Sequence, residues 1–233
     1  MDAPLDPTKR TSPPTLSLVE TRVLGVLVEK KHTVPDTYPL TLNALVAGCN
    51  QKTSRDPVME LSESDVQQAL DALKAWSFVV ESSGSRVMRY AHNVERVLAI
   101  PPQSVALLAT LMLRGPQTAG ELRINGDRLH RFADLSAVEG FLRELEARPT
   151  GALVAELPRS PGTRETRWRH LLSGDEAIAA ETFEPATAAK TPAPDLIALQ
   201  DAVAVLRTDV DALQATVAAI RAELAIRQHD PER

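Results

Sequence analysis

Cysteine, aromatic residues and long apolar runs are all scarce in this chain of 233 residues, and each scarcity excludes something. The single cysteine, Cys49, rules out an intramolecular disulfide framework and fits a reducing cytosol. With aromatics at 3% and hydrophobic residues at 43%, the core must be built mainly from Leu, Val and Ala. The longest apolar run, Val105 to Leu113, is too short to cross a bilayer. The opening MDAPLDPTKR has no apolar centre of the kind a signal peptide needs. A cytoplasmic protein with no membrane partner is expected.

Reactive constellations are missing as well. His32, His92, His130, His170 and His229 are scattered with no i, i+4 pair, and no second cysteine completes a zinc set. There is no phosphate-cradling glycine loop and no nucleophile elbow. Cys49 falls on the apolar stripe of a helical segment, where a small buried side chain is the plain expectation. No enzyme activity, metal or cofactor is expected.

Charge is spread unevenly. Residues 15–95 hold 8 basic and 10 acidic groups, residues 100–173 hold 10 and 8, and residues 174–233 hold 5 and 11. The central segment is therefore the part best suited to a polyanion, and the tail the least.

What is present is one order of elements written twice. In SLVETRVLGVLVEKK, Ser17 and Glu20 form a capping box, and Leu18, Val23, Leu24, Leu27 and Val28 make a helical stripe. Pro39 precedes a second helix carrying Leu42, Leu45, Val46 and Cys49. A third begins at Ser62 with Asp65 three places on, and turns Val66, Ala69, Leu70, Leu73 and Trp76 inward. The period then changes to two, giving a hairpin from FVVES and RVMRYAH. After the IPP break at 100–102, SVALLATLML is a helix and TAGELRI a second, capped by Thr118. SAVEGFLRELEAR is a third, with Val138, Phe141, Leu142 and Leu145 inward. GALVAELP and TRETRWRHLL form another hairpin. Three helices and a two-stranded wing, twice, predict tandem winged-helix domains.

Four stretches, CNQKTSRDPVMELSE, LRGPQTAGELR, RLHRFADL and RETRWRHLLSG, closely resemble the YceH-like family of bacterial proteins, over roughly Leu16 to Gly174. The resemblance implies a tandem winged-helix fold and implies no reaction and no site. The expected class is α+β, mainly α with small β wings. A disordered arm is expected over 1–15, winged-helix domains over 16–97 and 98–174, a Pro/Ala-rich linker over 175–195 and a coiled-coil helix over 196–227.

The stretch from Asn50 to Glu63 joins the second and third helices of the first domain. A DNA-reading helix-turn-helix uses about three or four residues there; here the joint is much longer. Asn50, Gln51, Lys52, Thr53, Ser54 and Arg55 are candidates for contacts to phosphate or protein. The plainer expectation is that they cap helix ends and close the loop on itself, with Pro57 stiffening it. On that view, losing Lys52 and Arg55 together leaves stability nearly unchanged.

For DNA, the outward face of the first third helix is poor: Glu63, Asp65, Gln67, Gln68, Asp71 and Lys74. The second, with Glu139, Arg143, Glu144, Glu146 and Arg148, is mixed. The second wing is richer, with Arg159, Arg164, Arg167 and Arg169 as a candidate phosphate clamp, and with Arg123, Arg128 and Arg131 on the same positive side. The competing expectation is a solvated edge whose arginines pair with local glutamates. Trp168 is expected to pack on the helices rather than stack on a base.

In the tail, Leu196, Leu199, Val203, Leu206, Val210, Leu213, Val217, Ile220 and Leu224 alternate spacings of 3 and 4. With β-branched residues favoured at a and Leu at d, this seam predicts a parallel homodimeric coiled coil. Two functions follow. One is a regulatory double-stranded-DNA-binding dimer touching DNA through the basic second wing, the reading the sequence favours. The alternative is a dimeric assembly adapter whose winged helices bind a protein partner.

Overall fold

A computed structural model describes residues 14–82, 87–159, 162 and 165–173. Seven α-helices and two small antiparallel sheets are found among them, so the class is mixed α+β. Helix α1 (Leu18–Thr33) opens with the expected capping box: Ser17 Oγ accepts the Glu20 N–H and Glu20 accepts the Ser17 N–H. A 3₁₀ turn (Pro35–Thr37) and strand β1 (Leu40–Thr41) lead to α2 (Leu42–Cys49), capped by Thr41. Residues 51–61 then run to α3 (Glu63–Ala75), where Ser62 and Asp65 complete a second capping box. Strands β2 (Val79–Ser82) and β3 (Arg89–His92) form the first hairpin, and β1 adds to its far side, giving the order β1-β3-β2. Leu40 lies opposite Tyr90, and Val80 opposite Ala91.

Helix α4 (Val94–Leu98) links the halves. The second half repeats the order with α5 (Pro102–Arg114), α6 (Ala119–Asn125), α7 (Leu135–Glu146), β4 (Val154–Glu156) and β5 (Trp168–His170). Thr118 and Glu121 form a third capping box. In the place that β1 holds in the first half, Gln117 makes an isolated bridge to Trp168.

The two halves share one core. Residues Thr21 to Val28 of α1 are buried without a break, because α2 and α3 cover one side and α5 the other. The expected stripe therefore undercounted this helix: Arg22, Gly25 and Val26 are buried, while Leu18 is 48% exposed. Close approach of α1 and α5 depends on Gly25, where a Cβ would stand 3.0 Å from Leu113 Cγ. At the rim, the Leu16 N–H donates to the Leu172 carbonyl and Arg148 to the Leu98 carbonyl. No helix among the described residues is long and apolar enough to cross a membrane. Arg164, the 175–195 linker and the nine seam residues from Leu196 to Leu224 lie outside the described residues.

Candidate nucleic-acid interface and a neighbouring cleft

Helix α7 starts where the Asp134 carboxylate accepts the Ala137 N–H, and buries Val138, Leu142 and Leu145. This leaves Arg143 on the outer side, facing the β4–β5 hairpin. Its guanidinium lies 4.7 Å from the centre of the buried Trp168 ring and donates to Glu146 at 2.8 Å and to Glu156 at 2.6 Å. The Thr166 hydroxyl donates to the same Glu156 carboxylate. Hydrogen bonds from Thr166 and Arg143 hold that carboxyl below its usual range. Between α6, α7 and the hairpin is a groove of about 440 Å³, lined by residues including Gly120, Leu135, Gly140, Arg143 and Arg159.

Of the four predicted clamp residues, the three described ones, Arg159, Arg167 and Arg169, differ in their surroundings. Arg159 is exposed beside the groove. Arg167 is exposed, but donates to the Pro116 carbonyl at 2.8 Å and to Glu121 at 3.1 Å. Arg169 is only 8% exposed, so its guanidinium does not present itself to a phosphate. Trp168 packs inward, as its amphipathic ring suggests. Of the flanking cations, Arg123 donates to the Ala133 carbonyl, and Arg128 and Arg131 are exposed.

On the outer face of α3, Lys74 is held by Asp71 at 2.8 Å and by Glu81 of β2 at 2.6 Å. Glu60, ahead of the helix, and Glu63 and Asp65, in its first turn, are further exposed carboxylates. Asp65 is held below its usual pKa by hydrogen bonds from Ser62.

The long 51–61 joint is built rather than loose. Asn50 closes it, donating to the Leu61 carbonyl at 2.8 Å and accepting the Leu61 N–H at 2.7 Å. Arg22, buried in α1, donates to the carbonyls of Cys49 and Pro57. Arg55 turns inward with a fully buried side chain. It makes a two-point contact with Glu29 at 3.1 and 2.6 Å and donates to the Gly48 carbonyl. This corrects the expectation that Arg55 is a dispensable surface residue. A polar loop sequence gives no sign that the fold will route one of its cations into the core. Burial pushes the Glu29 carboxyl up, yet the Arg55 guanidinium outweighs this and holds it below the usual range. Asn50 and Gln51 follow the expectation of loop closure, Asn50 through Leu61 and Gln51 by accepting from Arg55.

The joint also reaches the second half. The Asp56 N–H donates to the Leu113 carbonyl at 2.8 Å, and Arg114 Nη2 donates to Ser54 Oγ at 2.6 Å. Between them lies a cleft of about 300 Å³. Its walls come from Ser54–Asp56, from Arg114, Pro116 and Gln117 with Glu121 and Asn125, and from Arg167. Three of the four family-like stretches thus meet at one place. Asp56 and Arg114 were not singled out by sequence reasoning, because nothing local tells that residues so far apart share a wall. Among the described residues, no three His, Cys, Asp or Glu side chains come together to hold a metal.

Residues 16–163 match the family described as "Protein of unknown function, DUF480". The chain belongs to this family. It is 56% identical to a "UPF0502 protein" of Dechloromonas aromatica over 219 residues, covering 94% of this chain and 99% of the relative. Similar agreement is found with the "UPF0502 protein H16_B1091" of Cupriavidus necator, 54% identical over 97% of this chain and 92% of the relative. A third, from Leptothrix cholodnii, is 55% identical over 90% of this chain and 92% of its own length. The resemblance carried by the four motifs is borne out at the level of the family.

Proposed function

We propose that this DUF480 protein is a non-enzymatic, dimeric assembly adapter whose two winged-helix halves bind protein, with the acidic α3 face as the principal contact. The winged-helix reading is supported by the order in each half: three helices, an antiparallel hairpin, and an extended stretch before the second helix that pairs with the last strand. The observation that carries the adapter reading is the fate of the cations on the two third helices. Lys74 is neutralised by Asp71 and Glu81, and Arg143 by Glu146 and Glu156. A helix entering the major groove needs donors aimed outward at bases and phosphates. Here the donors are occupied, and exposed acids remain just before α3 and in its first turn: Glu60, Glu63 and Asp65. A basic protein segment complements such a face; a polyanion is repelled by it.

A second reading, DNA binding through the second wing, is favoured by one observation, the exposure of Arg159 beside the α6–α7 groove. In that reading Arg167 would have to leave Glu121. The full chain titrated with labelled random duplex DNA across a salt series separates the readings. The adapter reading expects no salt-dependent complex at low salt. Binding whose log affinity falls with log salt at about −0.9 per phosphate, and flattens in the Arg159→Ala, Arg164→Ala, Arg167→Ala variant, would transfer the function to DNA. In the positive arm, a photo-crosslinker at Gln68 should capture a basic protein in cells. The Glu63→Lys, Asp71→Lys variant should abolish that capture.

A further inference from the structure

Two opposite charges face the cleft between the 51–61 joint and the second half without meeting each other. Among the described residues, Arg114 has no carboxylate within ion-pair distance, and its hydrogen bond there goes to Ser54 Oγ at 2.6 Å. Asp56 is exposed and likewise makes no ion pair among the described residues. Both are held in place by backbone. The Asp56 N–H is fixed to the Leu113 carbonyl, one residue before Arg114. Gly115, at φ +70°, carries no side chain where a Cβ would stand 3.5 Å from Asp56 Oδ2.

Ser54 sharpens the arrangement. It adopts φ 61°, in the left-handed region that costs a non-glycine residue energy. That conformation places its hydroxyl against Arg114. Because Ser54 Oγ accepts from Arg114, its own proton is left to donate to a further acceptor. The Arg167–Glu121 pair closes another part of the wall and is balanced within itself. The cleft, at about 300 Å³, is at the small end of ligand sites.

We propose that this cleft binds a small zwitterion of the free α-amino-acid type, its carboxylate taken by Arg114 and the Ser54 hydroxyl and its ammonium by Asp56. A simple anion would satisfy Arg114 but face the Asp56 carboxylate, and a simple cation would satisfy Asp56 but face Arg114. Only a ligand with both charges leaves neither wall unpaired, so discrimination is built in by repulsion as well as attraction. This site is separate from the α3 face and does not rest on the adapter reading.

The test is calorimetric titration of the full chain with L-alanine and L-glutamine, beside N-acetyl-L-alanine, which lacks the cation, and L-alaninamide, which lacks the anion. The free amino acids should bind, and each blocked analogue should bind about tenfold more weakly or worse, as expected for one lost charge-assisted contact. Arg114→Gln and Asp56→Asn should each reduce amino-acid affinity by a similar factor while leaving the thermal midpoint of the free protein in place. Absence of binding by both amino acids at high millimolar concentration would overturn the proposal. So would a blocked analogue that binds as tightly as its parent. The analogue comparison uses the unaltered chain, so it decides the question even if a variant fails to fold.

Discussion

At the scale of single residues, the buried pair Arg55–Glu29 illustrates how a side chain can matter for the opposite reason to the one its sequence suggests. Arg55 is fully buried and Glu29 has a side chain 14% exposed, with Lys30 also 3.1 Å away. Removing the arginine strands a nearly buried carboxylate, and that is where the cost arises. Arg55→Ala should therefore lower stability to urea by about 3 kcal/mol. Combining it with Glu29→Gln should recover part of the loss, whereas the exposed Lys52→Ala should change little. Equal midpoints for Arg55→Ala and the unaltered protein would sink this account. His92 gives a second residue-scale prediction. Burial first, and the Lys31 charge second, push its imidazole down to about 4, with Glu95 opposing, and among the described residues neither ring nitrogen has a hydrogen-bond partner. The unfolded chain takes up that proton near the ordinary value of 6.5, before the folded chain does. The His92 contribution to stability is thus intact above pH 6.5 and is lost as pH falls toward 4, by at most about 3 kcal/mol. Chemical denaturation at steps across that window should show a decline that the His92→Leu variant lessens, the remainder coming from His170, which burial also pushes down to about 4.

At the scale of elements, the packing of α1 on α5 turns on a glycine. A methyl group at Gly25 would stand 3.0 Å from the Leu113 side chain, tighter than ordinary contact. Alanine there gains up to about 1 kcal/mol in helix propensity, which offsets a small shift of Leu113, so Gly25→Ala should be near neutral. Gly25→Val adds bulk and β-branching without that gain, and should cost about 2 kcal/mol through overpacking; a thermal midpoint unchanged in the valine variant would refute the close contact. Elements differ in how far the sequence announces them. The three capping boxes at Ser17, Ser62 and Thr118 mark helix starts correctly, because a cap is a local interaction spanning three residues. The hairpins follow from local alternation in the same way. Strand β1 and helix α4 were not legible, being two and five residues long and held by partners distant in sequence. The same holds for the Gln117–Trp168 bridge. Burial of Arg22 and Arg55, and the placing of Asp56 and Arg114 on the walls of one cleft, were invisible for that reason too: each is decided by what a second segment brings. The Arg-rich wing was legible as composition, but composition did not reveal that Arg169 is buried and Arg167 paired.

At the scale of the whole molecule, the adapter reading depends on two copies being joined, and the heptad seam from Leu196 to Leu224 is the feature that would join them. A stripe of two positions in seven suits a two-stranded coil, since a helix lying back on a globular body uses a wider apolar face. Sparse flanking charge, with Asp209 and Glu223 at g and Arg207 and Arg221 at e, would leave the seam itself to supply most of any association. Leu206 and Leu213 are consecutive d positions, and aspartate at both would place charge where each leucine meets its mate. Light scattering should therefore give a dimer for the full chain at micromolar concentration and a monomer for the Leu206→Asp, Leu213→Asp variant. Circular dichroism should lose tail helix at the same time, because an isolated helix of this length is marginal in water. The melting of the folded halves should stay in place. A variant that remains dimeric would move the interface into the halves themselves, and a monomeric full chain would remove the coil from the mechanism. In the adapter reading, dimerisation would also double the α3 faces offered to one partner, so the same variant should weaken partner capture through lost avidity even with every α3 carboxylate intact.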